Sequence, residues 1–393
     1  MQAGLMALFE PHLAYIAGLS FVICVALIAL ARFIPRLAGR PSDTNAVQAM
    51  HLRPTPRVGG IAIFGALACS IFFSPIIITQ GYIYFLMGAA LLFFVGMSED
   101  LGFHVSPRLR LLTVVIASVF VIALIGFWLS RIGFLYVDQL LQYGFIGIPF
   151  TLLITAGVSN GFNLIDGVNG LASMTAVCAS VAIALIAHQS GYASLASVSL
   201  MLAAVTLGFF VVNYPFGFIF LGDAGAYVLG FVISWIGIAI IVRVPEVSPW
   251  AILLTMFWPL ADTLLAMYRR WVGKKSAMMP DRLHAHQLVS RGIEICFVGR
   301  NRRHIANPLT TLFLAPFVIA PQIVAVLLWD KNVAAFLAVL FFLALFFWSF
   351  VSALSAVSGY RLRPEFRESD RKGVARQVIH KRHPRTQLNE EAF

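Results

Sequence analysis

Apolar runs close to twenty residues long recur along almost the whole chain, and no other feature limits its fold so tightly. A run of that length crosses about 30 Å of hydrocarbon as an α-helix. Within lipid every backbone N–H and C=O must be paired, which leaves only helices or a closed barrel. Barrel strands would alternate in segments of about ten residues, and that pattern is absent. The expected fold is all-α, a polytopic membrane helical bundle. Eleven spans are predicted, at roughly 13–33, 58–78, 82–97, 111–129, 147–165, 171–188, 194–213, 225–243, 250–268, 308–328 and 333–357. The first run is too long for the core of a signal peptide and has no basic segment before it, so it is expected to remain as a span.

Composition agrees. Of the 393 residues, 60% are hydrophobic and 11% charged, against about 25% charged in soluble chains. One membrane domain is expected over 1–357, followed by a polar, basic tail over 358–393. Cys24, Cys69 and Cys178 lie in apolar runs, and no C-x-x-C or Cys/His zinc spacing occurs, so neither a disulfide nor a structural zinc is expected.

Net charge is +11. Its distribution speaks for topology rather than for nucleic acid. The odd-numbered loops and the tail hold 25 of the 28 Lys and Arg; the other side holds only Arg131, Arg243 and Lys331. Under the positive-inside rule the large loops and C-terminus are expected in the cytoplasm, and the N-terminus in the periplasm. The same charge suits contact with anionic membrane lipid.

The acids sort to the same side. Glu99 and Asp100 are expected just after the third span, Asp166 after the fifth, Asp223 before the eighth, and Asp262 inside the end of the ninth. A carboxylate within a span costs about 2.5–3.5 kcal/mol at its centre, so such residues mark function or a water-filled cavity. Clustered acids repel one another unless a cation or basic groups join them. Hard oxygens of this kind suit Mg²⁺, which also takes water and phosphate oxygens. His51, Arg53, Arg57, Arg108, Arg110, Arg282, His284 and His286 fall on the same side. Acids with Arg and His describe a site for a phosphorylated or pyrophosphate-bearing substrate.

Six segments carry a resemblance: HLRPTPRVGGIAIF (51–64), GMSEDLGFHVSPRLRLL (96–112), VSNGFNLIDGVNGLA (158–172), VNYPFGFIFLGDAGA (212–226), WPLADTLLAMYRR (258–270) and PDRLHAHQ (280–287). In this order they resemble the polyprenyl-phosphate N-acetylhexosamine-1-phosphate transferases of glycosyltransferase family 4. That family includes the phospho-muramoyl-pentapeptide translocase and the initiators of O-antigen and enterobacterial common antigen, and the likeness is greatest to these initiators. The resemblance implies transfer of N-acetylhexosamine 1-phosphate from a UDP-sugar to undecaprenyl phosphate with release of UMP. It also implies Mg²⁺, or Mn²⁺ in its place, an inner-membrane site facing the cytoplasm, and a cell-surface polysaccharide as the destination. N-acetylglucosamine is the default sugar. N-acetylgalactosamine and 6-deoxy sugars stay open, as does a homodimer.

The same resemblance suggests roles. Asp223 matches the magnesium-binding aspartate, and Asn163 resembles a second group on the metal side. Asn169 corresponds to a uracil-contacting position, with Asp166 shaping the pocket beside it. Asn213 is expected either at the nucleotide or metal waters, or as a polar helix cap. Asp262 is assigned to the support of the site. Asp100 is the candidate for orienting or deprotonating the acceptor phosphate, or alternatively for pairing with an Arg; Glu99 is the other member of that acidic pair. Arg282, His284 and His286 resemble a pyrophosphate-binding histidine motif, from which Gln287 departs because it carries no charge. Arg57 is expected either at phosphate or in topology alone. The competing classes are a secondary transporter, which would place its acids near mid-membrane, and a structural scaffold.

Overall fold

The computed structural model describes residues 11–39, 55–73, 80–272, 284–299 and 302–361. His51, Arg53, Arg282 and most of the basic tail lie outside these residues. Among the described residues every regular element is helical: α1 Pro11–Leu30, α2 Gly59–Phe73, α3 Gln80–Asp100, α4 Pro107–Ile125, α5 Leu135–Leu141, α6 Gly144–Ile165 and α7 Leu171–Gln189, then α8 Ala193–Asn213, α9 Gly222–Arg243, α10 Pro249–Thr255, α11 Phe257–Val272, α12 Ala285–Ile293, α13 Arg303–Leu327 and α14 Asn332–Arg361. A 3₁₀ turn covers Pro35–Leu37 and a π turn covers Glu294–Val298. The compact helical unit runs to Phe346.

Nine of these helices are long and apolar enough to span a membrane. The predicted second span is shorter among the described residues, where α2 has 15 residues. The predicted ninth span, 250–268, is not one rod. It is broken into α10 and α11, which meet at 83°. The physical reason lies in Pro259, which has no N–H and whose ring excludes a helical carbonyl four residues earlier. That carbonyl belongs to Thr255, and Gln322 Nε2 on α13 donates to it at 3.1 Å.

Local sequence sets several helix ends. Ser106 caps α4, its hydroxyl accepting from the Leu109 N–H, with Pro107 in the first turn and Gly126 in the left-handed conformation at the far end. Ser248 and Pro249 open α10 in the same way. These caps satisfy groups that a helix terminus otherwise leaves unpaired.

Helix α9 is the core of the bundle and is buried from Gly222 to Ile241. It packs against α2, α3, α6 and α7. Small residues allow the backbones to touch, as is usual where helices associate in lipid. A Cβ on Gly96 of α3 would lie 2.5 Å from Ala224 Cα. This contact, one turn before the end of α3, brings Asp100 onto the start of α9. On another side, a Cβ on Gly161 would lie 2.8 Å from the Pro259 carbonyl oxygen, so the end of α6 lies close against α11.

Candidate active site at one end of the bundle

Glu99 and Asp100 do not follow the third span; they form the last turn of α3. Likewise Asp223 does not precede the eighth span but sits in the first turn of α9. These shifts have a chemical consequence. The carboxylate of Asp100, 6% exposed, accepts the N–H of Asp223 through Oδ1 and of Ala224 through Oδ2, both at 2.9 Å. It supplies the first turn of α9 with acceptors and places negative charge at the positive end of the helix. Glu99 accepts the Val105 N–H and so ties down the turn that follows α3.

Asp166 sits at the C-cap of α6 and accepts the N–H of Gly222. Burial pushes its carboxyl up to about 7, while Arg57 and the Gly222 N–H pull the other way. Two acids from separate helices thereby hold three successive N–H groups, of residues 222, 223 and 224. Gly222 has φ of +73°, and a Cβ there would lie 2.2 Å from the Arg57 carbonyl oxygen and 2.6 Å from Asp100 Oδ2. Only glycine suits that turn.

The side chain of Asp223 is held from three directions. Asn163 Nδ2 donates to its Oδ1 at 3.0 Å, Arg57 Nη2 lies 3.5 Å from Oδ1, and Arg110 Nη1 pairs with Oδ2. Arg57 Nε is also 3.9 Å from Asp100 Oδ1. The pairing of Arg110 with Asp223 depends on α4 packing against α3 and α6, which both meet α9, and spacing in the sequence does not encode that.

Asn169 and Asn213 organise the neighbouring turns. Asn213 Oδ1 accepts the Gly170 N–H at 2.6 Å, and its Nδ2 donates to the Ile219 carbonyl at 2.7 Å. Both polar atoms of Asn213 are thus engaged by main chain, as a polar cap requires. Asn169 Nδ2 donates to the Pro215 carbonyl at 2.8 Å. Its Oδ1 is buried and has no hydrogen-bond partner.

Asp262, fully buried, lies in α11 just beyond the helix break. Its Oδ1 accepts the Ala285 N–H at 3.0 Å, and its Oδ2 pairs with His284 Nδ1 at 3.0 Å. Asp262 therefore anchors the start of α12. His284 and His286 stack with ring centroids 5.7 Å apart. A Cβ on Gly167 would lie 2.5 Å from His286 Nε2, so the histidine segment reaches the turn between Asn163 and Asn169. Neither ring nitrogen of His286 has a hydrogen-bond partner. Burial pushes this imidazole down to about 4, with Asp262 pulling it up and His284 adding to the depression. Burial thus favours the uncharged ring. Gln287 is buried beside it.

The residues fit a hard divalent cation of the kind the motifs imply. Asp223 and Asn163 come from different helices and touch, and a half-turn of the Asn163 amide exchanges its nitrogen for its oxygen. Among the described residues no three His, Cys, Asp or Glu side chains form a closed cage. One carboxylate with one amide matches Mg²⁺, which is commonly held by few protein oxygens together with water and phosphate.

Comparison with known proteins follows the same residues. The model of glycosyl transferase family 4 matches residues 82–241, a stretch containing Asp100, Asn163, Asp166, Asn169, Asn213 and Asp223. The chain is 27% identical over 276 residues to the "Probable undecaprenyl-phosphate N-acetylglucosaminyl 1-phosphate transferase" of Bacillus subtilis (strain 168), covering 70% of this chain and 75% of that protein. It is 28% identical over 279 residues to the undecaprenyl-phosphate alpha-N-acetylglucosaminyl 1-phosphate transferase of Yersinia pestis, covering 69% and 75%. To the protein of the same name from Salmonella typhi it is also 28% identical, covering 69% and 74%. Motif order, helical architecture and these likenesses coincide: over residues 82–241 the chain is similar to glycosyl transferase family 4.

Proposed function

We propose that the protein transfers N-acetylhexosamine 1-phosphate from a UDP-sugar to undecaprenyl phosphate, releasing UMP. N-acetylglucosamine is the first sugar to test, because the relatives are named for it. The observation that carries this reading is the meeting of Asp223 with Asn163, Arg57 and Arg110 at one end of the bundle. A charged nucleotide stays in water while a polyprenyl tail stays in lipid, so a site at the end of the helices serves both. The arrangement favours a bacterial inner-membrane enzyme whose site faces the cytoplasm. Its lipid-linked sugar would begin a surface polysaccharide such as O-antigen.

In the reaction an oxygen of the acceptor phosphate attacks the phosphorus that bears the sugar. A new P–O–P bond forms as the bond to UMP breaks, and UMP leaves with the bonding electron pair. One pyrophosphate linkage replaces another, so the protein's task is positioning and charge neutralisation. Asp223 and Asn163 would hold Mg²⁺ or Mn²⁺, which supplies charge neutralisation at the pyrophosphate oxygens. Arg57 and Arg110 add positive charge beside Asp223. His286 offers a neutral hydrogen bond to a phosphate oxygen, and Asp262 with His284 holds it in place. Asp100 keeps Asp223 at its station through the main chain. A phosphate has its second pKa near about 6, so the acceptor needs little help in losing a proton.

An apolar cavity, lined by Phe150, Ile154 and Val158 of α6 and by Met256 and Leu260 at the broken helix among others, extends along the helix that carries Asn163. Its lining also includes Ser234, Ile238 and Ile241, so it lies toward the part of α9 remote from Asp223.

The test is UMP release by the purified protein with a panel of UDP-sugars, undecaprenyl phosphate and Mg²⁺, beside an Asp223→Asn variant. UMP should appear only when all three are present, and the variant should stay folded and inactive. Solute uptake without UMP release would favour a transporter instead. Near-normal turnover by the variant would remove Asp223 from the metal site.

A further inference from the structure

Helix α13 lies outside every motif segment, yet one of its faces grips the turn between α6 and α7. Asn307, Thr311 and Gln322 are buried on it, at 2%, 1% and 4% exposure. Asn307 Oδ1 accepts the main-chain N–H of Asn169 at 2.7 Å. Thr311 Oγ1 donates to the main-chain carbonyl of Asn169 at 2.6 Å. Residues four apart project from the same side of a helix, so a single turn of α13 satisfies both main-chain groups of one residue.

Asn169 lies in the short turn between two helices and has no helical ladder to supply those partners. Buried backbone groups require them. Gln322, further along the same face, donates to the Thr255 carbonyl left over by the break before α11. Asn307, Thr311 and Gln322 thus serve the main chain of the turn that carries Asn169 and of the break before α11.

The side-chain oxygen of Asn169 stays buried and unpaired in the free protein. A buried acceptor without a donor is unfavourable until one arrives, and a UDP-sugar brings several N–H and O–H groups. We propose that Asn307 and Thr311 are positioning residues for the nucleotide sugar. They fix the main chain of residue 169 so that its carboxamide is already set when the donor binds. This rests on the transferase reading above. Its energetic logic is preorganisation: a turn ordered in advance by α13 need not be ordered by the substrate.

The experiment compares the purified wild type with Thr311→Val, Thr311→Ser and Asn307→Leu in detergent, with undecaprenyl phosphate, Mg²⁺ and UDP-N-acetylglucosamine. Val has nearly the shape of Thr but no donor, and Ser restores the hydroxyl. Thr311→Val and Asn307→Leu should raise KM for the UDP-sugar about tenfold, the usual scale for a lost buried hydrogen bond. KM for undecaprenyl phosphate should stay within about twofold, and Thr311→Ser should recover most of the loss. Equal changes in both KM values, or a lower thermal midpoint with KM for the UDP-sugar unchanged, would overturn the proposal. Isothermal titration with UMP gives a second readout, in which Thr311→Val should weaken binding if Asn169 meets the nucleotide. A wild type that neither releases nor binds UMP would overturn the transferase reading, and this inference with it. An active wild type with variants of unaltered KM would overturn this inference alone.

Discussion

The carboxylate of Asp100 accepts the main-chain N–H of Asp223 at 2.9 Å, so the last residue of α3 holds in place the acid that Asn163 and Arg110 grip by its side chain. The second oxygen of Asp100 is equally occupied, by the Ala224 N–H. An Asp100→Asn variant turns an NH₂ toward one of these donors. Losing one buried acceptor should cost about 1–3 kcal/mol and lower turnover by displacing Asp223. Thermal unfolding in detergent, beside UMP release, checks this. A variant that unfolds at the wild-type temperature yet has lost activity would instead assign Asp100 to proton transfer.

Gly222→Ala should be far more damaging than its size implies. Residue 222 has φ of +73°, and an added methyl would lie 2.2 Å from the Arg57 carbonyl oxygen. The left-handed conformation alone costs about 1–2 kcal/mol, and the collision would move Asp100 off α9. Gly191→Ala is the control, since φ there is +79° but a Cβ meets nothing within 4 Å. Both variants should lose stability, and only Gly222→Ala should lose UMP release. Equal activities would detach this turn from the chemistry.

Stability against pH should expose Asp166 and His286 as an opposed pair. Burial raises the Asp166 carboxyl from 3.8 to about 7. Between those values the folded state binds more protons, so this group's contribution falls as pH rises. Burial lowers the His286 imidazole from 6.5 to about 4. There the unfolded state binds more protons, and the contribution rises with pH until 6.5 is passed. Relative to wild type, Asp166→Asn should make the slope of the midpoint against pH more positive between about 4 and 6.5, and His286→Gln should make it more negative. Parallel curves for all three proteins would show that neither group is shifted.

Arg131→Met should affect stability without affecting catalysis. Its guanidinium donates to the carbonyls of Ile241 at 3.0 Å and of Val244 and Val247 at 2.8 Å each. These lie at and beyond the last turn of α9, at the opposite end from Asp223. Leaving such acceptors without a donor should cost about 1–3 kcal/mol. KM for both substrates should stay within about twofold, because sites this far apart act independently. A selective rise in KM for either substrate would reveal coupling along α9.

The helical architecture was legible because lipid makes it a local matter. Each apolar segment must pair its own backbone, so composition alone marked where α3, α6, α9 and α13 run. The broken ninth span was half-legible: Pro259 stood in the sequence, but the partner of the Thr255 carbonyl did not. The site residues announced themselves by type, since Asp, Asn, Arg and His are expensive near hydrocarbon. What they touch was another matter. Asp100 meets the main chain of Asp223 and Ala224, and Asn307 and Thr311 hold Asn169 across 138 and 142 residues of chain. Such partners are chosen by which helices pack and how closely, through contacts such as Gly96 against Ala224. The sequence by itself therefore determined that the apolar segments are helices and which chemical groups the site can use. Tertiary packing alone decided which of those groups remain available to a ligand and which are spent on the backbone, because a hydrogen bond between distant segments exists only once their helices have met.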